Sequence, residues 1–403
     1  MIRLFGPRRP RRLAYVFERF PSFTQTFCAK EVLAVRAAGI DCPAYSIRRP
    51  GDQPAHAMFA DLADTVLLPE SFDAILETDA AFRRAARSAQ EDMRRIWGSE
   101  CEKRRIYEAL WLKRELKPAG IAHVHTHFAG IGARTAFWLH RLGGPGFSLT
   151  AHANDIFCDE PPERLASIFS AAACVVTVSD FSQRYLACHF PAIAGKLHRV
   201  YNGIRMDDFP PSDIPAGRPL VVSVGRLIEK KGFADLIAAC GLLRDRDFEC
   251  RIIGEGPLDD DLRARIHAEG LDGRVILHGP AGAAEIAGFL GRARAFALPC
   301  VEGAGGEMDN LPTVIAEAMA AGLPVVSTPL AGIPEMVVDR ETGFLVPPRA
   351  PGQLADALRV LMDSCDEARR LGAAGMARCR ALFSVEETSR ALIGVFRGHG
   401  LID

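Results

Sequence analysis

Asp309 and Glu317 stand eight positions apart in ALPCVEGAGGEMDNLPTVIAEAMAAGLPVVST (297–328), a run that reads as strand, glycine-rich loop and helix start. At 3.6 residues per turn, eight positions return Glu317 near the face on which Asp309 begins, so both carboxylates can address one ligand. Asn310, Leu311 and Pro312 lead into the helix, whose unpaired first N–H groups and positive dipole end suit a pyrophosphate, leaving Asp309 to meet hydroxyls. A helix cap followed by a solvated glutamate has the same spacing, and spacing alone does not separate the two readings.

The basic counterpart lies upstream. Residues 220–224 are an apolar, β-branched run ending in Gly225 and Arg226; Glu229, Lys230, Lys231 and Gly232 follow, ahead of an amphipathic stretch at 233–243. Strand followed by helix puts Arg226 and Lys231 at the C-terminal mouth of a strand, the edge where open α/β sheets take ligands. There the two cations would neutralise a diphosphate and improve it as a leaving group. A glutamate beside two lysines is ordinarily a solvated charge run, an expectation that fits Lys230 better than Arg226 or Lys231.

These groups need a scaffold of alternating strands and helices. Strands are expected at 12–17, 41–46, 66–68, 123–126, 147–151 and 174–178, and again at 220–224, 249–253, 275–278, 295–298, 324–327 and 343–346, with helical stretches between. Such alternation predicts an α/β class with parallel sheets in two Rossmann-like halves. Pro210, Pro211, Pro215 and Gly217 punctuate a polar linker at 204–218, and helices are expected at 353–365, 366–383 and 384–396.

SVGRLIEKKG, IIGEGP, LHGP, the Asp309/Glu317 pair and AGIPEMVVDRETGFLVPP occur in the order and approximate spacing of the C-terminal half of a GT4-type (group 1) retaining glycosyltransferase with the GT-B fold, which the chain thus resembles. FERFPSFTQTFCAKEV, VHTHFAG and SLTAHANDIF are similar to the N-terminal half of the subgroup that builds exopolysaccharide or colanic-acid-like polymers. The resemblance implies two domains facing each other across a cleft: 1–205 for the acceptor, 206–383 for the nucleotide-sugar donor, and 384–403 as a helix returning to the first. It implies that Arg226, Lys231, Asn310 and Leu311 bind the donor diphosphate and that Gly225, Glu255, His278 and Glu317 bind the nucleotide. It implies further that His152, Asp309 and Glu317 take the catalytic positions and that Ser22, Thr24 and Thr26 belong to an acceptor loop. The chain departs from the family pattern in having Asp309 where glutamate is commoner and Asn310 where glycine is common.

The implied reaction retains anomeric configuration, with a phosphate oxygen helping to take the acceptor's proton, and no residue stands out as a covalent nucleophile. Arg226, Lys231 and the helix start can stabilise the leaving phosphate without a metal, and no cofactor is expected beyond a UDP- or GDP-linked substrate. Expected partners are that donor and a glycan or lipid-linked oligosaccharide acceptor. A chain that kept the fold but lost turnover, serving as a scaffold in a polysaccharide assembly complex, is the alternative.

Other signals carry less. His123, His125 and His127 alternate on one strand face, a pattern that can hold a metal, but no carboxylate or cysteine lies near in sequence to complete a set. Gly254 to Pro257 reads equally as a strand-end turn or as a base or ribose contact, and Asp155 is placed to orient His152. The 403 residues suit two cores, and a net charge of −1 excludes a wholesale nucleic-acid binder. Eleven cysteines without a CxxC or regular framework read as reduced thiols in a cytoplasmic protein. The start, with Arg8, Arg9, Arg11 and Arg12 before a short apolar run, lacks a signal-peptide core. A basic stretch at 83–105 reads either as a helix packed by its apolar side or as a peripheral contact with anionic lipid at the inner membrane.

Overall fold

The structure is a computed structural model that describes residues 12–51, 56–98 and 102–403. Arg8, Arg9 and Arg11 of the basic start lie outside the described residues. Two compact units emerge, one of residues 1–177, 186–200 and 389–403, the other of 178–185 and 201–388.

The first unit holds seven parallel strands: β1 (Arg12–Arg19), β2 (Ala44–Arg48), β3 (Val66–Leu67), β4 (Ile121–His127), β5 (Gly146–Ala151), β6 (Val175–Thr177) and β7 (Leu197–Arg199), in the order β3-β2-β1-β4-β5-β6-β7. Parallel sheets are covered on both faces, which is why β1 reads as an unbroken apolar run from Leu13 to Phe17, each residue buried. β4 is the exception, an inner strand carrying His123, His125 and His127 into the interior. Its register sets His125 opposite Ser148 and His127 opposite Thr150 of β5, so a polar ladder runs through an otherwise apolar layer.

The second unit holds β8 (Leu220–Val224), β9 (Glu249–Ile253), β10 (Val275–Gly279), β11 (Ala295–Leu298), β12 (Val325–Ser327) and β13 (Gly343–Leu345), in the order β10-β9-β8-β11-β12-β13. Both sheets start in the middle and wind outward in two directions. This doubly wound order creates a switch point beside the first strand of each sheet, β1/β4 in one and β8/β11 in the other, where the connections diverge and leave a crevice at the carboxyl ends. Arg226 follows β8 and the loop to Asp309 follows β11, so the second switch point receives both. In the first unit, the loop at 20–26 follows β1, Phe128 follows β4, and His152 follows β5 beside them.

The basic stretch at 83–105 divides. Helix Ala80–Trp97 is capped by Asp79, whose carboxylate accepts from the N–H groups of Ala81 and Phe82 at 2.9 Å each. It buries Phe82, Ala86, Ala89 and Met93 along one stripe and leaves Arg84, Arg87, Arg94 and Arg95 exposed, the packed amphipathic arrangement. Arg105 belongs instead to helix Lys103–Leu116, where it is buried 2.7 Å from Glu108 and removed from any basic surface. No helix of the described residues is long and apolar enough to cross a membrane. None of the described cysteines is in a disulfide.

Candidate functional site

In the second unit, the turn at Glu229–Lys231 and the loop after β11 are strapped together. The Val301 N–H donates to the Lys230 carbonyl at 3.0 Å, and the Ala304 N–H donates to the Glu229 carboxylate at 3.2 Å. Gly232 makes the approach possible, since it sits at φ 69° and a Cβ there would lie 1.8 Å from the Pro299 carbonyl oxygen. Across this junction Lys231 Nζ lies 2.5 Å from Asp309 Oδ2, and Lys230 Nζ lies 3.0 Å from Asp309 Oδ1. Lys230 is therefore no solvated lysine, as its sequence context suggests, but the second cation of a three-residue cluster.

Electrostatics follow from that geometry. Burial alone would raise the Asp309 pKa, but Lys231 and then Lys230 outweigh it and hold the carboxyl below its ordinary value. Burial likewise works against charge on Lys231, Asp309 reverses the sign and raises it, and Arg226 stands near enough to oppose that rise. Three cations with one carboxylate leave a net positive site, suited to an anion of two or more charges.

Helix Thr313–Ala320 begins with Pro312 at its cap, so Glu317 lies little more than one turn inside, half-buried. Asn310 is buried, with its side-chain oxygen 2.6 Å from the Ser179 hydroxyl, which donates to it; Leu311 is buried as well. Asn310 thus braces the loop through its side-chain oxygen. Gly225 closes β8, its N–H bonded to the Ile253 carbonyl and its Cα side packed by the Lys231 stem. Glu255 is exposed after β9; His278 ends β10, its Nε2 3.0 Å from Glu285. Both stand at the carboxyl edge that carries Arg226, farther out along the sheet.

In the first unit, the Ser22 and Thr24 hydroxyls are 3.2 Å apart, and Thr26 begins helix Thr26–Ala37. His152 Nε2 lies 3.0 Å from His127 Nδ1, whose other nitrogen lies 3.0 Å from Glu31 Oε1. The buried Tyr15 hydroxyl donates to the same oxygen at 2.9 Å. Asp155 accepts from the N–H groups of Ala129, His152 and Ala153, so it fixes the backbone that carries His152.

Glu31, His125 and His127 bring donor atoms within 4.8 Å, so the carboxylate missing from the local sequence arrives from a helix. Yet each ring nitrogen is already turned to a protein partner: His125 to Ser148 at 2.8 Å and Thr150 at 3.0 Å, His127 to His152 and Glu31. These donors form a hydrogen-bond network. Sequence reading missed Glu31; its one local signal is the four-residue spacing from Phe27, which packs on His152 with ring centroids 5.0 Å apart.

A family model described as glycosyl transferases group 1 matches residues 218–364, and one described as glycosyltransferase family 4 matches 74–208. The chain carries two glycosyltransferase domains. The group 1 domain contains Arg226, Lys230, Lys231, Asp309 and Glu317; the family 4 domain contains His127 and His152. The chain is 41% identical over 160 residues to the putative colanic acid biosynthesis glycosyltransferase WcaL of Escherichia coli (strain K12), covering 39% of each chain. It is 41% identical over 129 residues to the amylovoran biosynthesis glycosyltransferase AmsK of Erwinia amylovora, covering 32% of each. The matched stretch thus spans less than two fifths of the length of either curated relative. Anabaena Alr3699/HepE in complex with UDP superposes with a TM-score of 0.70 at 15% identity, covering 96% of this chain and all of that one. The architecture of these glycosyltransferase domains is the GT-B fold.

Proposed function

We propose that this chain is a retaining glycosyltransferase that moves a sugar from a UDP- or GDP-linked donor to a glycan or lipid-linked oligosaccharide in bacterial exopolysaccharide synthesis. The supporting observation is the cluster of Lys230 and Lys231 on Asp309, with Arg226 beside Lys231, at the switch point of a doubly wound sheet and ahead of a helix N-terminus. Breaking an anomeric C–O bond builds negative charge on the departing phosphate, and fixed cations beside it stabilise that charge. Asp309 neutralises part of the cluster until a diphosphate arrives, when its oxygens can turn to sugar hydroxyls. The acceptor enters on the face the phosphate leaves, and a phosphate oxygen helps take its proton, so no protein nucleophile is required. The colanic acid and amylovoran relatives favour a surface polysaccharide as product. Peripheral contact with an anionic membrane through helix Ala80–Trp97 belongs to this reading.

The parent chain is expected to gain thermal stability with one of UDP, GDP or their sugars, about 2.7 kcal/mol at a hundred times the dissociation constant. Arg226→Ala with Lys231→Ala should abolish that gain and lower transfer on the order of a hundredfold or more. Unchanged transfer in the double variant defeats the assignment. Binding without transfer by the parent, across all donors and acceptors tried, favours the scaffold alternative.

A further inference from the structure

The group that ties His152 to the rest of the first unit is another histidine, and that second ring is tied to a carboxylate. Two proton arrangements satisfy the distances. In one, His127 is neutral, protonated on Nε2 toward Glu31, and accepts at Nδ1 from His152 Nε2–H. In the other, His127 is doubly protonated and donates at both ends, so His152 Nε2 is the acceptor.

The surroundings choose between them. Glu31 is 20% exposed at its side chain and, among the described ion pairs, has no partner but His127; its other hydrogen bond comes from a neutral phenol. A partly buried carboxylate is stabilised by a counter-charge at hydrogen-bond distance, and His127 is the group placed to supply it. Every group packed on His127 is consistent with this. Tyr15 and Phe17 stack from β1, Phe27 and the buried Cys28 face it from helix Thr26–Ala37, and His125 stands edge-on in β4. Burial raises the Cys28 pKa, so the sulfur is a thiol at neutral pH, and the carboxylate within hydrogen-bond reach of the ring is Glu31. Burial opposes charge on His127; with Cys28 a neutral thiol, the Glu31 carboxylate 3.0 Å away is the counter-charge that opposes burial and raises the ring's pKa. Burial, then the neighbouring His127, hold His152 and His125 well below that range.

We propose that Glu31 and His127 are positioning residues for His152: the carboxylate keeps His127 doubly protonated, His127 Nδ1–H donates to His152 Nε2, and the single proton of His152 is thereby fixed on Nδ1. With Nε2 engaged, His152 is not a general base through that atom; it meets a sugar hydroxyl or ring oxygen as a neutral hydrogen-bond donor. A fixed donor that brings no charge suits a transition state whose sugar is itself becoming positive, since an imidazolium there would repel it. The consequence for catalysis rests on the glycosyltransferase reading; the protonation pattern does not.

Long-range 15N NMR of histidine-labelled full-length protein, with His127 and His152 assigned by single His→Gln variants, reads the pattern without any substrate. The expected spectrum shows His127 protonated on both nitrogens and His152 protonated on Nδ1 alone from pH 6 to 8. A His152 ring protonated on Nε2 in the parent overturns the proposal. Glu31→Gln removes the counter-charge, so His127 should become neutral and His152 should shift toward the Nε2–H form; unchanged rings in this variant also overturn it. Glu31→Asp, which keeps the charge on a shorter arm, should restore much of the parent pattern and guards against mistaking misfolding for loss of the relay. In transfer assays, Glu31→Gln should lower kcat on the order of a hundredfold, leave the KM for donor nearly unchanged, and introduce a pH inflection absent from the parent. If the parent transfers no sugar, the NMR result still stands or falls independently.

Discussion

A histidine three strands in from either edge of a parallel sheet must stay neutral unless something charged stands beside it, and β4 displays both outcomes within five residues. His127 has Glu31. Among the described residues His123 meets the Ser148 hydroxyl at 2.9 Å and no carboxylate partner, and burial, followed by His140, pulls its pKa down to about 3. Because an unfolded histidine titrates near ~6.5, the unfolded chain binds a proton that folded His123 refuses at any pH between the two values. Its stabilising contribution is whole above ~6.5 and is withdrawn as the pH falls, by up to about 1.4 kcal/mol per pH unit. His127 acts with the opposite sign: its raised pKa contributes fully below ~6.5 and is lost as the pH climbs through the folded value. Urea midpoints measured from pH 6.5 to pH 4.5 should therefore fall more steeply for the parent than for His123→Asn. Parallel declines would exclude His123 as a source of acid lability.

At the level of elements, the anion site depends on two loops from adjacent strands approaching more closely than side chains normally permit. Gly232 is where they meet. Gly232→Ala faces a left-handed φ and a carbonyl 1.8 Å from the new methyl, so the turn at Glu229–Lys231 must withdraw from Pro299 and carry Lys230 and Lys231 away from Asp309. The expected cost is about 1–3 kcal/mol of stability. Stabilisation by UDP or GDP should also be lost in the same thermal-shift panel. A variant that is destabilised yet binds nucleotide as tightly as the parent would show that the lysine cluster is not the diphosphate site.

Over the whole molecule, a net charge of −1 provides no general attraction to an anionic surface, so any membrane contact must come from a local patch. Helix Ala80–Trp97 provides one, with Arg84, Arg87 and Arg94 exposed and Ile96 36% exposed near its end. Each such arginine is worth about 1 kcal/mol beside anionic lipid. The full chain should sediment with phosphatidylserine-rich vesicles at low salt and release as salt is raised. Arg84→Glu, Arg87→Glu and Arg94→Glu together should abolish sedimentation. A parent that stays wholly in the supernatant rules the contact out.

The strands of both sheets were legible in the sequence because a parallel strand buried on both faces is an apolar run bounded by turns; 220–224, 249–253 and 295–298 coincide with β8, β9 and β11. β7 escaped, since Leu197–Arg199 holds a single apolar residue beside His198 and Arg199 and so shows no apolar run. Motif order likewise placed Arg226, Lys231 and Asp309 at one strand edge, because a strand's carboxyl end and the loop after it are local facts. Tertiary structure alone decided which groups share a proton or a charge. Lys230 reads as solvent-facing until the strap from Val301 turns it onto Asp309. Glu31 stands 96 positions from His127, and only the winding of β1, its following helix and β4 around one switch point brings carboxylate, imidazole and imidazole into line. Local pattern encodes burial and periodicity, whereas a charge pair depends on distances that the chain acquires only when its sheet closes.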